Sequence, residues 1–265
     1  MALTKTQVSE LYVAIFNRAS EGEGNEYWQE PFVGATVEDI ANGMLETTDA
    51  QEYFGDSLDD DQAFIEHIYQ NTLNKTIADD PEGIAFWTDA LATYSRGYVV
   101  AELVAAVAQY ADSTDATTKA AYDQFTNRVA VSDFTADTLA TAPEDYATSL
   151  NFGADLVVTD DAATVTAAEA AVELIANPPT GETFTLTTST DEFIGTTGDD
   201  TFTATQATYG TADFIFDQSS TDDDTFTLTT TSNITATPTV KNVENFNVEI
   251  AKVSTFSFAA DNITG

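Results

Sequence analysis

The sequence predicts an α+β chain of two domains: an all-α helical-repeat domain over residues 1–176, then an all-β, threonine-rich domain over residues 182–265, with a β-roll or a sandwich-like fold. Apolar residues recur at helical spacing in the first part, whereas threonine alternates with apolar residues in the second. Residues 177–181 read N-P-P-T-G, and two prolines and a glycine continue neither a helix nor a strand. This segment is the predicted linker.

The helices of the first domain are predicted from apolar spacing and from capping residues. From Val8 onwards, apolar residues recur three, four, seven and eight positions apart, which is the pattern of one buried helix face. A hydroxyl side chain followed three residues later by an acid or amide predicts a helix start. Three such pairs are Thr4 with Gln7, Thr36 with Asp39 and Thr166 with Glu169.

The helical domain contains an internal repeat. Residues 11–28 and 68–87 share a tyrosine, an asparagine followed by a cation, an acidic loop with glycine, and a tryptophan. A partial copy at 122–128 keeps only the tyrosine, the asparagine and the cation. The residues at equivalent positions are Arg18, Lys75 and Arg128, and also Trp28 and Trp87.

These repeated cations and tryptophans have two possible roles. The cations could bind phosphate or acidic sugars, and the indole rings could stack on sugars. Alternatively, each cation pairs with its own acidic loop and each tryptophan belongs to the core. The repeat favours the structural role, and it leaves all five residues as candidates for binding a glycan.

A glycine- and aspartate-rich segment, F193-I-G-T-T-G-D-D-T-F202, lies among the threonine-rich strands. It matches four of the five fixed positions of the calcium-binding nonapeptide G-G-x-G-x-D-x-U-x, in which U is a large apolar residue. These are Gly195, Gly198, Asp200 and Phe202. The glycines are expected to allow a tight left-handed turn, and the aspartate to supply a charged oxygen. An aspartate also begins the element D191-E-F193, nine residues earlier, and nine residues is the expected repeat of such a roll. D213-F-I215 and D224-T-F226 are weaker echoes.

Calcium is the cofactor that the composition favours. The chain has 45 Asp and Glu against 8 Lys and Arg, a net charge of −37, and divalent cations with oxygen ligands relieve such repulsion. Calcium needs six to eight oxygens, so the ligands must come from more than one turn. The candidate ligands are Asp191, Asp199, Asp200, Asp222 and Asp224. Two alternatives stay open: residues 195–200 as a plain turn, and residues 222–224 as a charged hairpin tip.

The composition also argues against several classes of function. The chain has no cysteine and one histidine, His67, so thiolate zinc sites, imidazole clusters and disulfides are excluded. No nucleophile elbow accompanies His67, and we expect no enzymatic activity. The negative charge repels nucleic acid and anionic bilayers, and no segment is typical of a signal peptide or a membrane span. We therefore expect no nucleic-acid partner and no membrane insertion.

Both domains carry a resemblance to bacterial surface proteins. The helical repeat resembles that of a domain-of-unknown-function family found at the N-termini of secreted, calcium-dependent surface proteins. Its first copy, with L3-T-K-T-Q-V-S-E-L-Y12 and A19-S-E-G-E-G-N-E-Y-W28, is similar to the surface-layer (S-layer) proteins of campylobacter-type bacteria over about residues 3–135. The glycine and aspartate turn, with N242-V-E-N-F-N247, resembles the start of the lattice-forming part of RTX-like, roll-containing proteins.

The resemblance implies a structural protein that is secreted by a type I route to the outer cell surface. The helical domain would anchor an S-layer to lipopolysaccharide, and the β domain would self-associate into a calcium-bridged two-dimensional lattice. In this class, hundreds of residues and a C-terminal secretion signal normally follow, so the chain is expected to be a truncated form or a short paralogue. The alternative is a secreted calcium-dependent adhesin, which ordered arrays in electron micrographs would distinguish.

Overall fold

Helices and strands are separated along the chain in the computed structural model, which describes residues 2–30, 32–143, 150–251, 257–260 and 262–264. Among these residues, all helices precede residue 177 and all strands follow it. The chain divides into two units, Met1–Ala176 and Asn177–Gly265. The predicted order of an all-α part followed by an all-β part is confirmed.

The first unit is built from nine α-helices and one 3₁₀ turn within the described part of the chain. The helices are α1 (Lys5–Phe16), α2 (Gly22–Tyr27), α3 (Val37–Leu45), α4 (Thr48–Phe54), α5 (Asp61–Leu73), α6 (Pro81–Ala90), α7 (Arg96–Ala108), α8 (Ala116–Thr138) and α9 (Ala163–Ala176), and the 3₁₀ turn is Gly55–Leu58. Helix α1 packs against α5, α7 and α8, and its Val8, Leu11 and Ile15 are fully buried. The unit therefore forms around its first helix.

Two of the three predicted capping boxes are present. The side chains of Thr4 and Thr36 cap α1 and α3, each in a reciprocal pair with the residue three positions later. The prediction for the last helix is wrong, because α9 begins at Ala163 rather than near Thr166. The Asp161 carboxylate accepts a hydrogen bond from the Ala163 amide at 2.9 Å, so an earlier aspartate supplies the acceptor at this helix start.

The repeated tyrosine and glycine have a shared packing role. A Cβ atom at Gly24 would lie 2.6 Å from the Tyr12 hydroxyl oxygen, and one at Gly83 would lie 2.3 Å from that of Tyr69. The Tyr69 hydroxyl also donates to the carboxylate of Asp80, the residue that caps α6. Only a glycine leaves room for the tyrosine of the preceding helix, so this part of the repeat encodes helix packing.

The repeated asparagine ends a helix. Asn17 and Asn74 follow α1 and α5 in the left-handed conformation, with φ of 50° and 51°. Asparagine tolerates this conformation better than most residues with a side chain. In the partial copy the equivalent Asn127 lies inside α8, so this copy does not form a helix-turn-helix unit.

The second unit is a parallel β-roll. Its strands are β1 (Thr183–Thr185), β2 (Glu192–Ile194), β3 (Thr201–Thr205), β4 (Phe214–Phe216), β5 (Thr225–Thr230), β6 (Thr239–Lys241), β7 (Asn245–Ile250) and β8 (Ile263–Thr264). The odd strands form one parallel sheet in the order β1-β3-β5-β7, and the even strands form another in the order β2-β4-β6-β8. Each coil therefore contributes one strand to each sheet. The parallel pairing excludes the sandwich-like alternative and a hairpin tip at residues 222–224.

The coils differ in length. Thr183, Thr201, Thr225 and Asn245 are paired in register, which makes successive coils 18, 24 and 20 residues long on this sheet. The nine residues between Asp191 and Asp200 are therefore half of the first coil, not a whole period of the roll. The weaker echoes are true equivalents, because β4 and β5, which follow them, pair with β2 and β3.

A column of phenylalanines fills the roll. The rings of Phe184, Phe202, Phe226 and Phe246 stack in sequence, with centroids 5.0, 6.3 and 4.7 Å apart. Phe202 and Phe226 are fully buried, as is Ile215 on the other sheet. Stacked aromatic rings gain dispersion energy beyond the apolar area that they bury. The in-register pairing of the coils is what places these rings on top of each other.

The two left-handed asparagines give a matched prediction. The Asn17 side-chain amide donates to the Phe152 carbonyl at 3.0 Å and accepts from Arg128 at 3.1 Å. Among the described contacts, the Asn74 side chain bonds only to the exposed side chain of Gln70. We expect Asn17→Gly to lower the free energy of unfolding by about 1–3 kcal/mol through the lost buried contacts. Asn74→Gly should change it by less than about 0.5 kcal/mol, because glycine suits this conformation.

Urea unfolding followed by tryptophan fluorescence measures this difference. The chain has two tryptophans, Trp28 and Trp87, and both belong to the helical unit, so the signal reports that unit alone. Equal losses of stability in the two variants would contradict the assigned role of the Asn17 side chain.

Candidate functional site

Four acidic residues form a column along one edge of the roll. Glu182, Asp200, Asp224 and Glu244 immediately precede β1, β3, β5 and β7. The backbone N–H of each of the first three donates to the carboxylate of the next, at 2.5, 2.7 and 3.1 Å. These bonds stabilise the column in part, since amide donors favour a charged carboxylate. They leave Asp224 Oδ2 without a donor.

Two aspartates from the turn between β4 and β5 complete this cluster. Carboxylate oxygens of Asp200, Asp217 and Asp224 lie within 4.8 Å of one another, and those three side chains are 1, 0 and 0 % exposed. A second group, formed by Asp222, Asp224 and Glu244, meets the same distance limit. Asp224 belongs to both groups, so we treat the five residues as one acidic cluster.

Several oxygens of the acidic cluster are buried without a donor. Asp217 Oδ1, Asp224 Oδ2 and both carboxylate oxygens of Asp222 have neither a hydrogen-bond partner nor contact with solvent. None of the ion pairs in the described part of the chain involves these carboxylates. A buried, unpaired charge is strongly destabilising. The cluster therefore requires protons or a cation.

Burial raises the pKa of two carboxyl groups of the acidic cluster. It raises the pKa of Asp217 to about 6, and the negative charge of Asp222 acts in the same direction. It raises the pKa of Asp224 to about 7, helped by the charges of Asp217, Asp222 and Asp200. A bound divalent cation would reverse the effect, because it stabilises the ionised carboxylates.

Gly195 is required by the close approach of two carboxylates. A Cβ atom there would lie 2.2 Å from Asp217 Oδ1 and 2.3 Å from Asp200 Oδ2. At Gly198 it would lie 2.4 Å from the carbonyl oxygen of Pro179, so the segment predicted as a linker packs on this turn.

The predicted left-handed turn is wrong. Neither Gly195 nor Gly198 has a positive φ, and the glycines in the described residues that do are Gly34, Gly55 and Gly153. What the turn needs at both positions is space rather than an unusual backbone conformation.

The donor set fits a hard cation. The five side chains of the acidic cluster offer only carboxylate oxygens, and oxygen-only sites suit calcium or magnesium better than softer metals. The side chains of the cluster come from three successive coils. The acidic groups of the roll can thus hold a metal ion.

The structure brings together three of the five predicted metal ligands, namely Asp200, Asp222 and Asp224. Asp199 lies next to this cluster, but its side chain is exposed and accepts a hydrogen bond from the Asp223 amide at 3.0 Å. Asp191 precedes β2 on the even sheet, and its carboxylate accepts from the Thr187 amide and hydroxyl at 2.7 and 2.9 Å. Asp191 and Asp199 belong to neither acidic group.

Sequence reasoning missed Asp217 and Glu244. Asp217 directly follows β4 just as Gly195 directly follows β2, a correspondence that the nonapeptide pattern does not contain. Glu244 begins E244-N-F246, which repeats the acid-x-Phe pattern of D200-T-F202 and D224-T-F226. Recognising the acid-x-Phe repeat would have found Glu244 in spite of the unequal coil lengths.

Two of the three repeated cations are buried and serve the helical unit. The Arg18 guanidinium pairs with Glu21 at 3.0 Å and lies 4.9 Å from the centroid of the Tyr12 ring. Arg128 donates to the Asn17 side chain and to the Asn71 carbonyl, and burial lowers the pKa of its guanidinium from the ordinary value. Arg18 thus pairs with its own acidic loop as one alternative predicted, whereas Arg128 joins two other helices.

Lys75 has a different environment from these arginines. It is partly exposed and lines a cleft of about 500 Å³. Polar side chains dominate the lining: Asn74, Asp79, Thr117, Gln124, Thr159 and Asp160. Of the three repeated cations, Lys75 is therefore the one that a ligand can reach.

Each tryptophan is half-buried beside an exposed aromatic ring. Trp28 stacks on Phe32 with centroids 5.7 Å apart, and the neighbouring Tyr27 is 58 % exposed. Trp87 contacts Phe86, which is 65 % exposed. The indoles pack against the core, and the residue before each one is the exposed part of the pair.

Comparisons with known proteins give no relative. No protein-family model, curated protein or solved structure matches this chain. Of the helices in the described residues, none combines the length and the apolar character needed to span a bilayer.

Gly195→Ala tests the close approach of the two carboxylates. We expect it to lower the free energy of unfolding of the roll by about 1–3 kcal/mol, the usual effect of forcing a methyl group into a filled space. Thr197→Ala, at an exposed position in the same turn, should change it by less than about 0.5 kcal/mol. Calorimetric unfolding of the full chain measures both, and an unchanged roll transition in Gly195→Ala would contradict the geometry.

The raised pKa values of Asp217 and Asp224 predict a pH dependence in calcium-depleted buffer. Unfolded carboxyls lose their protons near pH 4, whereas these two keep them to about 6 and about 7 when folded. The roll should therefore lose stability as pH rises from about 4 to about 7, by up to about 1.4 kcal/mol per pH unit for each group.

Calorimetric unfolding at a series of pH values measures this dependence. Asp217→Asn removes one titrating group, so the slope between about pH 4 and about pH 6 should become shallower. Stability that increases over this range in the unaltered chain would overturn the assignment.

Proposed function

We propose that this chain is a calcium-dependent structural protein of a bacterial cell surface, in which the roll takes part in an S-layer lattice and the helical unit binds lipopolysaccharide. It is not an enzyme in this proposal, and its partners are the surface polysaccharide and further copies of itself. The observation that carries the proposal is the acidic cluster, whose buried oxygens lack donors in a chain with a net charge of −37.

Charge supports the choice of calcium and of a surface location. Copies of so acidic a chain repel one another, and bound divalent cations would lower that repulsion enough for close packing. Extracellular modules bind calcium weakly, with dissociation constants of about 10⁻⁴–10⁻³ M, and thus suit calcium-rich surroundings. The cluster uses oxygen ligands alone, which is the chemistry calcium prefers.

Two features of the helical unit support glycan binding. The Lys75 cleft offers amide, hydroxyl, carboxylate and ammonium groups, which can exchange hydrogen bonds with sugar hydroxyls and can pair with a phosphate. Tyr27 and Phe86 provide exposed aromatic faces on which sugar rings stack. Because Arg18 and Arg128 are buried, the proposal assigns glycan contact to Lys75 and not to them.

Binding to isolated lipopolysaccharide tests the anchoring role. We expect the full chain to bind saturably with calcium present, and Lys75→Glu to weaken binding at least about tenfold, a change of about 1.4 kcal/mol. Lys241→Glu is the matched control, since Lys241 is exposed at the end of β6 in the roll. No saturable binding would overturn anchoring and favour the adhesin.

Chelation separates the two halves of the proposal. Because the acidic cluster belongs wholly to the roll, lipopolysaccharide binding should survive a chelator, whereas arrays seen by electron microscopy should lose order. Arrays that keep their order in chelator would contradict the role of calcium.

A further inference from the structure

We infer that the acidic cluster binds two divalent cations that share Asp224, one between Asp200 and Asp217 and the other between Asp222 and Glu244. This inference rests on the proposed calcium dependence and goes beyond it by assigning a second metal site and a bridging ligand. Asp217, Asp222 and Glu244 lie outside the nonapeptide, which covers residues 195–203.

Each acidic group has an orphaned acceptor of its own. Asp217 Oδ1 belongs to the first group and both oxygens of Asp222 belong to the second, and none of these atoms has a partner or contacts solvent. A single ion satisfying one group would leave the buried oxygens of the other without a donor. Two ions give every one of these atoms a cation.

The Asp224 carboxylate lies where it could bridge the two cations. Its side chain is completely buried, and Oδ1 already accepts the Asp200 amide at 2.7 Å while Oδ2 accepts nothing. It precedes β5, the strand that pairs with β3 on one side and β7 on the other. A carboxylate in this position can contact one cation shared with Asp200 in the coil before and a second cation shared with Glu244 in the coil after.

The count of charges also favours two ions. When ionised, the five carboxylates of the acidic cluster carry five negative charges, and one divalent cation would leave three of them uncompensated. A second divalent cation leaves one, and Glu244, which is exposed, can hold that charge in contact with water. Lys and Arg do not contribute, since no ion pair in the described residues reaches the cluster.

The two ions would connect three coils of the roll. The first ion would join the turns before β3 and β5, and the second would join the turns before β5 and β7. Asp217, Asp222 and Asp224 belong to one turn, and Asp200 and Glu244 belong to the coils before and after it. Cation binding would therefore fix the stacking of coils rather than the shape of one turn.

Counting bound calcium by native mass spectrometry of the full chain tests the inference. Relative to the unaltered chain, Asp217→Asn and Glu244→Gln should each lose one ion, and Asp224→Asn should lose two. Asp199→Asn is the control, because Asp199 is an exposed neighbour outside both groups and should lose none. Because each variant is compared with the unaltered chain, ions bound at other acidic surfaces cancel in the difference.

Variants at buried positions could fail to fold, but Glu244 is exposed, so Glu244→Gln is expected to fold. Titration of this variant with calcium, followed by calorimetry, therefore tests the inference independently. Retention of both ions by this variant, or loss of a single ion by Asp224→Asn, would overturn the shared pair while leaving the proposed function in place. No loss of calcium in any variant would overturn both, because the cluster would then bind none.

Discussion

In-register parallel pairing of the coils is the constraint on which the roll depends. It places every repeated residue type above its equivalent, so that Phe202 and Phe226 stack in the interior and Asp200 and Asp224 stack at the edge. The first column stabilises the fold through dispersion and apolar burial, whereas the second brings like charges together. The stacked core and the crowding of carboxylates at the edge are thus two results of one register.

Aspartates that precede strands have different hydrogen-bond partners at the two edges of the roll. On one edge, Asp213 accepts from the amides of Asp191 and Gly210 at 3.1 and 2.7 Å, so both of its oxygens are satisfied by the protein itself. On the other edge, Asp224 has one amide donor and one orphaned oxygen. The aspartates at the first edge stabilise turns, whereas those at the second leave buried oxygens that a proton or a cation could satisfy.

The helical unit uses its repeat mainly for internal contacts. The repeated tyrosine and glycine fit each other, the repeated asparagine ends a helix, and two of the three cations are buried where they stabilise neighbouring helices. Lys75 departs from this pattern because its helix end faces a polar cleft. A repeat whose residues mainly serve packing can thus leave the cation of one copy exposed and available to bind a ligand.

The sequence by itself determined whatever depends on neighbouring residues: the helices, two capping boxes, the linker composition and the strand alternation. It also identified Asp200 and Asp224, because each immediately precedes a strand and lies two residues before a buried phenylalanine. Only the tertiary structure decided that Asp217 meets them, because coils of 18, 24 and 20 residues conceal which positions stack. Spacing along a chain fixes a contact only when the intervening segments have constant length, and in this roll they do not.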